Sequence, residues 1–143
     1  MNAYMNQYQN TAVSTASPEQ LLIMLYDGAI RFVGFASEGI QEKNYQKKTK
    51  FINKASTIIN EFRATLDHEV GGSLASDLDG LYDFMLRELF FANSRNDLKK
   101  LEGVENILKE LREGWVQAAE IVRKGSEASE EQAVERKTFA ATM

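Results

Sequence analysis

The chain has 143 residues, 43% of them hydrophobic and 27% charged, with a net charge of −4. That length suffices for one domain with a buried core, and the acidic balance argues against nucleic-acid partners, which select a basic footprint. With no cysteine there is no disulfide framework, thiolate metal cage or thiol nucleophile, and a reducing cytoplasm is the natural setting.

An arm of residues 1–16, polar and rich in Asn, Gln, Ala and Thr, comes first. It lacks the basic and apolar regions of a secretory signal, so none is expected. Helix 1 opens at Ser17, an N-cap residue, with Pro18 at the first helical position and Gln20 closing a capping box. Its expected end is near Gly39, which tolerates left-handed backbone. Its long apolar stretch, Leu21 to Phe35, is broken by Asp27 and Arg31 and is too short to cross a bilayer. Helix 2 is expected over about Asn44 to Asp67, with Phe51, Ala55, Ile58, Ile59, Phe62 and Leu66 on one face. Gly71-Gly72 breaks the chain. Helix 3 follows from about Ser73 to Asn93, carrying Leu74, Leu78, Leu81, Tyr82, Met85 and Leu89 as its core stripe. Asn96 is the expected N-cap of helix 4, which runs to about Lys124 through Leu98, Leu101, Val104, Leu108, Leu111, Trp115, Ala118 and Val122. Beyond Gly125, a second capping box from Ser129 to Gln132 suggests a short marginal helix or a frayed tail. The expected fold is therefore all-α: an antiparallel four-helix bundle over residues 17–124, an irregular N-terminal arm, and a short extra C-terminal helix or tail over 125–143.

Helix 1 has more apolar surface than a bundle helix needs. At about 100° per residue its polar residues Asp27, Arg31 and Glu38 fall in one narrow seam, leaving an apolar arc about twice the usual width. Either the helix is packed on several sides, or one flank, with Ile23, Tyr26, Ile30 and Val33, forms a groove for another chain. Helix 3 places Phe84 and Phe91 together, off its main stripe, which marks them as a second candidate patch. Gly28, Gly34, Gly80, Gly103 and Gly114 lie inside expected helices at about 1 kcal/mol each relative to Ala, so close backbone approach is expected there.

Catalytic chemistry finds little to work with. A di-iron bundle needs two Glu-x-x-His units, and the one histidine, His68, follows Thr65 at that spacing. No metal, cofactor or enzyme activity is expected. The "DHE" run at 67–69 reads as an exposed helix end, and the basic run "KNYQKKTKFINK" at 43–54 as a solvated face.

Several segments in register resemble one family. "TASPEQLLIMLYDGAIRFV" at 15–33, "LDGLYDFMLREL" at 78–89, "ANSRND" at 92–97, Trp115 in "LREGW", and an arm with Tyr4 and Tyr8 are similar to FliS-type flagellar export chaperones over about residues 4–122. The resemblance implies an α-bundle that binds the disordered C-terminal segment of flagellin in the cytoplasm. Such a chaperone would prevent premature polymerisation and assist delivery to the export apparatus, with an export gate component as a further partner. It also implies an arm that lies in part of the client groove, making Tyr4, Met5 and Tyr8 candidate cap residues. No nucleic acid or membrane insertion is expected. The alternative is a structural bundle that self-associates through the same surface without a client, leaving monomer and homodimer both open.

Overall fold

The structure, a computed structural model, describes residues 16–142. Four helices run through them: α1 (Pro18–Gln41), α2 (Tyr45–Ala64), α3 (His68–Arg95) and α4 (Leu98–Thr142). Short turns join consecutive helices. The pairs α1–α2, α2–α3, α3–α4 and α1–α4 pack side by side, so the bundle closes as a ring with α1 and α3 on one diagonal.

The start of α1 is fixed by local chemistry alone. Gln20 N–H donates to Ser17 Oγ at 3.1 Å, and Ser17 N–H donates to Gln20 Oε1 at 3.0 Å, closing the capping box. The helix runs past Gly39 to Gln41, and Lys43 takes the left-handed turn conformation (φ 58°) in its place. Gly39 has a different task. A Cβ there would lie 2.6 Å from the Lys48 backbone nitrogen, so glycine is what lets the α1–α2 hairpin close. The five mid-helix glycines expected to face close neighbours do not: Gly80, Gly103 and Gly114 have nothing within 4 Å of an added Cβ, and Gly28 and Gly34 have only ordinary contacts.

Two other boundaries differ from expectation. Asp67 ends no helix but caps α3, accepting from Glu69 N–H and Val70 N–H at 3.1 and 3.0 Å. The glycine break is an interruption inside α3, where Gly72 adopts φ 52°, ψ −126°. Asn96 closes α3 in the left-handed conformation, and its neighbour Asp97 caps α4 through Lys100 N–H at 3.2 Å. Residues 125–142 form no separate helix. They continue α4 to 45 residues, about 68 Å at 1.5 Å per residue, against about 36 Å for α1. The Ser129–Gln132 pattern thus lies inside a helix rather than starting one.

Tyr26, Phe32 and Val33 of α1 meet Ile58, Ile59 and Phe62 of α2, Tyr82, Met85 and Leu89 of α3, and Leu101, Val104 and Leu108 of α4 in one core. Tyr26 stacks on Phe62 at 4.2 Å between centroids. Its hydroxyl shares a 2.6 Å hydrogen bond with that of Tyr82, tying α1 to α3 across the diagonal. At the end holding the α1–α2 and α3–α4 turns, the basic run is not wholly solvated. Lys48 is buried, donating to the Asn93 carbonyl at 2.7 Å and to Asn96 Oδ1, while Thr49 donates to Asn93 Oδ1 at 3.0 Å. The amine therefore secures one of the last carbonyls of α3.

Candidate client-docking surface

The two expected patches fare differently. Tyr26 and Val33 are sealed in the core, because α1 is flanked by both α2 and α4. Most of the apolar surplus of α1 is thus internal packing, and those two residues are corrected from groove to core. Ile30 is half-buried against the core, and Ile23 is half-buried at the edge of a cleft between α1 and α4. Tyr4, Met5 and Tyr8 lie outside the described residues.

Helix α3 shows the larger exposed face. Stepping about 100° per residue from Leu74, its buried residues Ala75, Leu78, Tyr82, Met85, Leu89 and Ala92 span roughly 0–100°. Leu74, Leu81, Phe84 and Phe91 form a second stripe at roughly 260–360°, and Val70, before the Gly72 interruption, lines a cleft together with Leu74. Val70 is 86% exposed, Leu74 60% and Phe84 42%. Phe91 is half-buried, with Phe90 edge-on at 5.5 Å and the cations of Arg95 and Lys100 over its ring at 4.7 and 5.9 Å. Glu88, on the same arc, pairs with Lys100 of α4 at 3.0 Å, so the stripe borders the α3–α4 seam. Leu74 and Leu81, expected in the core stripe, stand at its margin and face outward. The open glycines Gly80, Gly103 and Gly114 sit on these same two helices.

At the far end from Lys48, the stripe runs into apolar clefts. One, of about 280 Å³, is bounded by Leu22, Phe62, Val70, Leu74, Tyr82 and Trp115. A second, of about 330 Å³, lies between α1 and α4 and shares Leu22 and Trp115 with the first. The Trp115 indole N–H is buried and directed at the Tyr26 hydroxyl. Burial, reinforced by Tyr82, pushes the Tyr26 hydroxyl well above the ordinary phenol range. A hydrogen bond from the Trp115 indole offsets this only in part. Burial likewise raises Tyr82, with the Tyr26 hydrogen bond opposing.

The remaining charges act as staples. Arg63 of α2 bonds Asp79 and Asp83 of α3 at 2.7 and 3.3 Å, and Arg112 of α4 pairs with Asp27 of α1. His68 is exposed at the first turn of α3, and among the described residues no group of three or more His, Cys, Asp or Glu side chains could hold a metal ion. Nor is any helix among them long and apolar enough to cross a membrane.

A family model described as "Flagellar protein FliS" matches residues 1–122. The chain belongs to the FliS family. A flagellar secretion chaperone FliS from Salmonella typhimurium is 40% identical over 118 residues, covering 82% of this chain and 87% of its own. One of the same description from Bacillus subtilis is 34% identical over 122 residues, covering 85% and 90%. A solved structure described as a flagellar chaperone from bacteria superposes with a TM-score of 0.68 at 20% identity, covering 82% of this chain and 96% of that one, which supports the bundle fold. The FliS match ends at Val122, close to where α4 leaves the bundle. From Glu120 onward, every α4 side chain described is exposed.

Proposed function

We propose that this protein is a cytoplasmic flagellar export chaperone that binds the disordered C-terminal segment of flagellin. By covering that segment it prevents premature polymerisation and assists delivery to the export apparatus. Membership of the FliS family gives the class of activity. The observation that carries the docking surface is the outward stripe of Leu74, Leu81, Phe84 and Phe91, continuous with the Leu22–Trp115 clefts. From residue 74 to 91 the stripe is about 26 Å long at 1.5 Å per residue, room for a client helix of about 17 residues. Ile23 lines a separate cleft between α1 and α4, and Ile30 packs against the core.

The physics suits a client that folds as it docks. About 1,000 Å² of apolar burial is worth on the order of 25 kcal/mol gross, and ordering of the client and lost freedom cancel most of it. Micromolar to nanomolar affinity without nucleotide hydrolysis follows. Residues 1–16, with Tyr4, Met5 and Tyr8, act as a cap that yields to the client.

Titration calorimetry with a peptide of the flagellin C-terminal segment tests the reading. The expected result is 1:1 binding with a large negative heat-capacity change. Deleting residues 1–16 should raise client affinity or lower solubility. A homodimer that the peptide neither binds nor dissolves would favour the self-associating bundle instead.

A further inference from the structure

The outward stripe of α3 is not electrically uniform along its length. At the end holding the α3–α4 turn, the Arg95 guanidinium lies over the Phe91 ring at 4.7 Å and the Lys100 amine at 5.9 Å. Lys100 is shared with Glu88 at 3.0 Å, but Arg95 is exposed and makes no ion pair among the described residues. Asp97, the carboxylate between them in sequence, is committed to capping α4 through Lys100 N–H. A guanidinium over a ring keeps its edge N–H donors free for a planar carboxylate. About 27 Å away along α3, Asp77 falls at roughly 300° on the same outward arc. It is exposed and has no ion pair among the described residues. The Glu88–Lys100 bridge puts Glu110 of α4, likewise exposed and unpaired among them, level with Leu78. The surface is therefore apolar along its middle, cationic at one end and anionic towards the other.

We propose that the Phe91–Arg95–Lys100 end is a carboxylate anchor, which holds the free α-carboxylate at the end of the client chain while the last large apolar side chain rests on Phe91. The proposal rests on the client-docking reading above and names which end of the client lies where. A C-terminal segment carries that carboxylate, and as a helix it adds partial negative charge at the same end. The partial positive charge at the client's N-terminal end meets Asp77 and Glu110. The docked helix thus runs parallel to α3. Reversal would set its carboxylate against those two acids and leave Arg95 unmet. Leu74, Leu81, Phe84 and Phe91 supply contact, and the charges at the two ends set direction.

The test titrates the full chain with the flagellin C-terminal peptide, prepared as the free acid and as the C-terminal amide. The acid should bind about 10-fold more tightly than the amide, and the gap should fall to about 2-fold or less on Arg95→Gln. Replacing the peptide's Asp and Glu side chains by Asn and Gln should leave the gap unchanged, which separates the chain end from internal acids. In the nitrogen-15-labelled protein, a nitroxide at the peptide's C-terminal end should broaden the amides of residues 91–100. One at its N-terminal end should broaden those of residues 74–78. The acid–amide and nitroxide readings use the unaltered protein and stand even if Arg95→Gln fails to fold. Equal affinity of acid and amide, a gap undiminished on Arg95→Gln, a gap abolished by the side-chain replacements, or the reverse broadening pattern overturns the anchor and leaves the chaperone reading intact. Absence of binding by either peptide overturns both.

Discussion

Helices α1 and α3 occupy opposite corners of the bundle, and they dispose of their apolar residues in opposite ways. α1 is greasy almost all round, yet Tyr26, Phe32 and Val33 vanish into the core because two neighbours flank it and its outward surplus is modest. α3 has as many apolar residues spread over a longer helix, but turns Val70, Leu74, Leu81 and Phe84 outward. The amount of apolar sequence on a helix therefore says less about exposure than how closely its neighbours approach. A docking face is a property of the seam.

The sharpest way to break this comparison is a pair of aromatic truncations. Phe32→Ala on α1 should destabilise by about 3–5 kcal/mol in denaturant unfolding. Phe84→Ser on α3 should change stability by no more than about 0.5 kcal/mol while weakening client binding about 10- to 100-fold. Reversed effects would place the docking surface on α1.

Alkaline titration probes the diagonal tie next. Tyr26 and Tyr82 both have phenol pKa values raised on folding, so the native state holds its protons where the unfolded chain releases them. The stabilisation is complete below about pH 10 and is lost as pH climbs beyond it. Tyr26→Phe should flatten that decline in a melting series. A smaller effect, about 1–3 kcal/mol, is expected for Lys48→Met, which strands the Asn93 carbonyl. Smallest is Gly114→Ala. The site is open, so helix propensity should raise stability by about 1 kcal/mol, while client affinity drops a few-fold if the docked chain needs the bare backbone.

What the sequence disclosed was mostly local. The Ser17–Gln20 box could be read because every participant lies within one turn. Four helices were visible in the 3–4 spacing of apolar residues. Asn96 and Asp97 were harder: adjacent residues compete for the same capping role, and which one enters left-handed backbone depends on Lys48 arriving from α2. Gly125 looked like a stop, but glycine only weakens a helix, and Arg123 bridging Glu120 and Glu127 carries α4 through it. The exposed apolar stripe is half legible. Phe84 stood out because it lies well off the core stripe. Leu74 and Leu81 sit at the stripe's margin, where a few ångströms of helix separation decide inside from outside, and no periodicity encodes that distance. Trp115 can be placed on the right helix, but its position lining two clefts emerges only from the three-dimensional surroundings.

The length of α4 has a consequence for how the molecule moves. A 16.2 kDa protein with a bare rod on one corner tumbles anisotropically, slower about its short axes than a sphere of equal mass. Amide vectors along residues 123–142 lie nearly parallel to that rod, so their transverse relaxation should stand apart from the rest of the chain.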